Sequence, residues 1–131
     1  MIYVDTSVLL KLVKTDEAEG PALRAYLEDA TEPRLVSSAL LSLQARRGVL
    51  RVRPDGLPKI DLLLADVARI SITDAVIESA GLLPDPALRS LDTIHLATAL
   101  LVRDDLDVLL GYDDRLLAAA KDHNIRTASP A

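Results

Sequence analysis

Ile2-Tyr3-Val4 is a short β-type run, and Val8-Leu9-Leu10 opens an apolar helical stretch. Only Asp5-Thr6-Ser7 stands between them, so a strand must feed a helix almost directly. An acid at that joint lies at the carboxyl end of a strand, where open α/β sheets place their ligands. The helix N-terminus favours negative charge, so Asp5 reads as an ionised group available to a cation. Asp and Thr are also ordinary helix caps, and the joint alone leaves both roles open.

The remainder alternates in the same way. Residues 6–14 read as a first helix, broken at Thr15-Asp16-Glu17. A second starts at Asp16 and runs to about Asp29, with Gly20-Pro21 in its first turn. Arg34-Leu35-Val36 is a strand capped by Ser37-Ser38, and residues 39–50 form a third helix on which Leu40, Leu43, Gln44 and Arg47 share a face. Arg53-Pro54-Asp55-Gly56 is a turn. Residues 57–68 give a fourth helix, 69–72 a strand, and Thr73-Asp74 starts a fifth helix ending near Gly81. A proline-containing loop leads to residues 90–102, a helix apolar nearly all round and therefore expected to be buried. Residues 107–110 are a buried strand, 115–122 the last helix, and 125–127 close the sheet. The expected fold is α/β: one domain over residues 1–131, a central parallel sheet of about five short strands, helices on both faces.

With three Tyr and neither Phe nor Trp, the chain has no aromatic platforms for stacking bases. The absence of Cys excludes disulfides and thiolate metal sites. No apolar run is long enough to span a bilayer, and a cytoplasmic protein follows as the default. The net charge of −5 argues against bulk electrostatic binding of nucleic acid. An acidic chain still acts on a phosphodiester when a metal ion stands between its carboxylates and the phosphate.

Asp5 and Asp113 each follow a strand and precede a helix, and Asp92 lies in the first turn of the apolar helix. Gathered at one sheet edge, three carboxylates need a divalent cation, and an all-oxygen donor set suits Mg²⁺ or Mn²⁺. Arg46, Arg47, Arg51 and Arg53 form the basic cluster, read as a rim for an RNA backbone. His95 reads as a hydrogen-bonded core histidine. A receiver-like phosphoacceptor domain would need a lysine at a late strand end, whereas Lys121 falls within the last helix.

The same residues carry a resemblance. Ile2-Tyr3-Val4-Asp5-Thr6-Ser7, Val36-Ser37-Ser38-Ala39-Leu40, residues 91–99 and Tyr112-Asp113-Asp114-Arg115-Leu116 resemble the PIN-domain ribonucleases, and within them the VapC toxins of toxin–antitoxin pairs. The resemblance spans essentially the whole chain. It implies Mg²⁺- or Mn²⁺-dependent hydrolysis of RNA by a quartet of acids, a VapB-like antitoxin and a homodimer. Asp5, Asp92 and Asp113 match three of the four acids and would hold the metal. Gln44 stands at the fourth catalytic position, normally Glu, and keeps the shape while losing the charge. Gly111 replaces the usual Thr or Ser before Tyr112. Thr6 or Ser7 would orient a ligand or a phosphate oxygen, with Arg46 and Arg47 toward the substrate. The alternative is a catalytically impaired PIN-fold module that binds RNA or an antitoxin.

Overall fold

The computed structural model describes residues 1–14, 17–31 and 33–131. Five parallel strands, β1 (Ile2–Val4), β2 (Leu35–Ser38), β3 (Val67–Ile70), β4 (Val108–Leu110) and β5 (Thr127–Ala128), form one sheet in the order β3-β2-β1-β4-β5. The helices are α1 (Thr6–Val13), α2 (Gly20–Asp29), α3 (Leu40–Val52), α4 (Leu57–Ala65), α5 (Asp74–Gly81), α6 (Ser90–Leu101) and α7 (Asp114–Asp122). The expected α/β class, strand number and parallel pairing are all present.

Side chains alternate across a strand, and that alternation divides the core in two. Ile2 and Val4 of β1 and Val108 and Leu110 of β4 pack with α1, α3 and α4 through Val8, Leu9, Leu41, Ala45, Val49, Ile60 and Leu64. Tyr3 and Leu109 face the opposite layer, with Leu96 and Ala99 of α6 and Leu116 and Ala120 of α7. Both faces of the sheet are therefore covered, as parallel sheets require.

Four local expectations shift. The helix start at Asp16 and the break at Thr15 fall on residues outside those described; α2 begins at Gly20, with Pro21 in its first turn. Ser37 and Ser38 belong to β2, and Ser38 also caps by accepting the Leu40 N–H through Oγ (3.1 Å). The fourth helix stops at Ala65, and β3 starts at Val67 rather than Arg69. Its register is fixed by parallel pairing with β2, Leu35 opposite Val67 and Ser38 opposite Ile70. On α3 the buried stripe is Leu41, Ala45 and Val49, while Leu43 is 60% exposed. Among the described residues no helix is long and apolar enough to cross a membrane.

The strand order places the site. From β1 the chain winds outward through β2 to β3, then returns to β4 on the other side of β1 and on to β5. The carboxyl ends of β1 and β4 therefore flank the switch point of the sheet, where a crevice opens. Asp5 follows one of these strands and Asp113 the other.

Candidate metal-dependent active site

Asp5 caps α1 and Asp113 caps α7, and in each case a single oxygen does the capping. Asp5 Oδ1 accepts from the Ser7 N–H at 2.9 Å and from the Ser7 hydroxyl. Asp113 Oδ1 accepts from the Arg115 and Leu116 N–H groups at 3.0 and 3.3 Å. Asp92, in the first turn of α6, accepts the Arg89 N–H through Oδ2 at 3.3 Å. A helix cap and a metal ligand compete for a carboxylate only if the cap takes both oxygens. Here each acid keeps one oxygen outside its capping bond.

Asp5, Thr6, Ser7, Gln44, Asp92, His95, Asp113 and Leu116 line one cavity of about 150 Å³. A neighbouring cavity of about 360 Å³ shares Gln44, Asp92 and Asp113 and adds Arg89, Leu91, Asp114 and Arg115. The structure thus brings together Asp5, Gln44, Asp92 and Asp113, the four residues assigned to the catalytic set, together with Thr6 and Ser7. It leaves Arg46 and Arg47 outside. Arg46 Nε donates to Asp61 Oδ1 on α4 at 2.9 Å, and Arg47 is exposed one helical turn beyond Gln44, roughly 4.5 Å along the axis. The cations that line the larger cavity are Arg89 and Arg115, each two or three residues from an acid of the set.

Burial opposes the helix N-terminus at Asp5. Loss of solvent raises its pKa to about 6 against the Ser7 hydrogen bonds, and the nearby Asp113 charge raises it further. Burial also raises Asp92, again with a contribution from Asp113. The expectation from the helix end alone, a carboxylate held readily in its charged form, is therefore reversed in direction. Three acids sharing one field are the condition a divalent cation relieves. Among the described residues no three acids or histidines stand close enough to grip a bare ion together. The donor set fits a hydrated hard cation, since Mg²⁺ keeps several waters and takes few carboxylates directly.

The loops around the acids hold one another. Ser7 Oγ, which donates to Asp5, accepts the Tyr112 N–H at 3.0 Å and so ties the ends of β1 and β4. A Cβ built on Gly111 would overlap the Asp5 carboxylate. The side chain missing at this position is what gives Asp5 its place.

Gln44 Oε1 accepts from the Thr6 hydroxyl at 2.8 Å and meets His95 Nε2 at 2.7 Å. The Tyr3 hydroxyl meets His95 Nδ1 at 2.8 Å and takes the Ser38 N–H at 3.2 Å. The core reading of His95 holds as far as burial goes. Its contact with Gln44 was not readable, because the two are 51 residues apart. Arg89 and Arg115 were also missed, though their places beside Ser90-Leu91-Asp92 and Asp113 were a usable signal.

The PIN domain family matches residues 2–126. Ribonuclease VapC35 of Mycobacterium tuberculosis is 44% identical over 133 residues, covering 99% of this chain and 97% of that protein. The solved structure of VapC20 from the same organism, described as a sarcin–ricin-loop-cleaving toxin, superposes with a TM-score of 0.74. It has 15% identity and covers 91% of this chain and 95% of that one. A toxin–antitoxin complex from Klebsiella pneumoniae gives 0.70 at 23% identity, over 90% of this chain and 91% of that one. Those two show a shared fold, whereas the family match and the 44% relative carry sequence kinship along nearly the whole length. This chain belongs to the PIN-domain family, among the VapC ribonucleases.

Proposed function

We propose that this protein is a Mg²⁺- or Mn²⁺-dependent endoribonuclease, the toxin of a type II toxin–antitoxin pair. The observation that carries the reading is the convergence of Asp5, Asp92 and Asp113 on one cavity at the switch point, each with an oxygen outside its capping bond. Asp5, Asp92 and Asp113 would hold the ion. When bound, the metal supplies an activated water and neutralises charge on the phosphate. Ser7 fixes the Asp5 carboxylate, and Thr6 fixes Gln44. Arg89 and Arg115 receive the RNA phosphates at the mouth, the part first given to Arg46 and Arg47.

An antitoxin is the natural partner of such a toxin, and complexes of that kind are among its structural neighbours. With a net charge of −5 and an acidic cavity, the chain suits a partner that inserts a basic segment. A homodimer in the cytoplasm completes the assignment. A binding module with little catalysis is the second reading, motivated by the neutral amide of Gln44.

Cleavage of RNA at stoichiometric enzyme separates the two. Cleavage that requires Mg²⁺ or Mn²⁺ and falls ~10²-fold or more in Asp92→Asn supports the nuclease. RNA bound but uncut by the wild type, with metal present, supports the module.

A further inference from the structure

Gln44 is more than a glutamate without its charge. Its carboxamide oxygen has two lone pairs, and Thr6 Oγ1 and His95 Nε2 reach it at 2.8 and 2.7 Å. The order of protons along the buried chain decides what each atom does. The Ser38 N–H can only donate, so Tyr3 Oη accepts it (3.2 Å) and gives its own proton to His95 Nδ1 (2.8 Å). That leaves the imidazole proton on Nε2, aimed at Gln44 Oε1. Burial keeps this imidazole neutral, its pKa pushed down to about 4. The opposite order would turn the amide oxygen toward Asp5, Asp92 and Asp113, an oxygen set against three acids.

With its oxygen saturated, Gln44 has only its NH₂ group left to offer. That nitrogen has no protein partner, and no side-chain polar atom among the described residues is buried without one. It therefore opens on the cavities that Gln44 lines. We propose that Gln44 is a hydrogen-bond donor to a phosphate oxygen of the RNA, not a metal ligand, and that His95 and Tyr3 are the positioning residues that aim it. The proposal rests on the phosphodiester reading above. A glutamate here would set a fourth anion against the phosphate, whereas the amide meets it with two N–H groups.

The test uses the full protein in EDTA and a 2′-O-methyl RNA oligonucleotide, which cannot be cleaved through its 2′-hydroxyl. Gln44→Glu should weaken metal-free binding roughly 10-fold, the scale of a lost charge-assisted hydrogen bond. The same substitution should tighten Mg²⁺ binding, measured by calorimetry. Opposite signs for the two affinities are the signature of a donor. In ¹⁵N-labelled protein the Gln44 side-chain amide resonances should move when the oligonucleotide is added. His95→Leu should abolish that movement, and His95→Gln, which keeps a donor toward Gln44, should restore it.

Backbone resonances near Arg115 that shift while the Gln44 amide stays still would overturn the inference and leave the phosphodiester reading standing. Equal RNA affinity in Gln44→Glu would overturn it likewise. No binding of the oligonucleotide at all would overturn the phosphodiester reading and the inference together.

Discussion

Asp5 is held by two opposing effects, and pH separates them. Its pKa rises from the ordinary 3.8 to about 6 because burial costs the charged form more than Ser7 returns. Ionising it in the metal-free fold therefore costs about 3 kcal/mol. Since the folded pKa lies above the unfolded one, this stability is intact below pH 4 and is lost as pH rises through about 6. His95 works in the other sense: with its pKa depressed to about 4, its contribution is present above pH 6.5 and lost as pH falls through 4. A raw stability curve would mix the two, so the informative quantity is a difference between variants. In EDTA, Asp5→Asn should melt several degrees above the wild type at pH 7.5, with the gap closing near pH 4. Mg²⁺ should raise the wild-type melting temperature and narrow the gap at pH 7.5, because it supplies the compensation the asparagine no longer needs. An unchanged gap across that range would place Asp5 in water. Gly111 belongs to the same account. Gly111→Ser should push the Asp5 carboxylate off Ser7 and cost about 1–3 kcal/mol by overpacking, read as a lower denaturation midpoint. A variant as stable as the wild type would show that the carboxylate is not fixed by this contact.

At the scale of elements, what could be read from the sequence follows how sharply each element is marked. Strand-to-helix joints at Asp5 and Asp113 are abrupt, a β-type run meeting a polar cap, and their place at the sheet edge follows from topology. Between α4 and β3 only Asp66 intervenes, with neither Gly nor Pro to mark a stop, so the strand was set two residues late. On α3 the apolar residues Leu40, Leu41, Leu43 and Val49 support two stripes. Packing against α1 and α4 selects Leu41, Ala45 and Val49. That choice also turns Arg46 toward Asp61 instead of the cavity. Leu41→Ala should cost about 2–5 kcal/mol and Leu43→Lys close to nothing, both read from urea midpoints. The reverse order would restore the stripe through Leu40, Leu43 and Gln44 and move α3 against the sheet.

Across the whole molecule, the acidic charge and the single cavity at the switch point pull together. A protein of net charge −5 gains little from attracting RNA at a distance. Its chemistry must lie in a few local groups: three acids with a spare oxygen each, two arginines at the mouth, and an amide held in a fixed orientation. Which acids would gather was legible, because strand order alone collects them. The direction in which Gln44 offers its amide was not, because Tyr3 and His95 reach it only through tertiary packing between β1, α3 and α6. Anomalous diffraction from crystals soaked in Mn²⁺ tests the central claim in one measurement. The account predicts one or more peaks in the cavity within direct or single-water reach of the Asp5, Asp92 and Asp113 carboxylates, with Gln44 Oε1 still turned to Thr6 and His95. Absence of a peak there at millimolar Mn²⁺, or a peak ligated by the Gln44 oxygen, would contradict it.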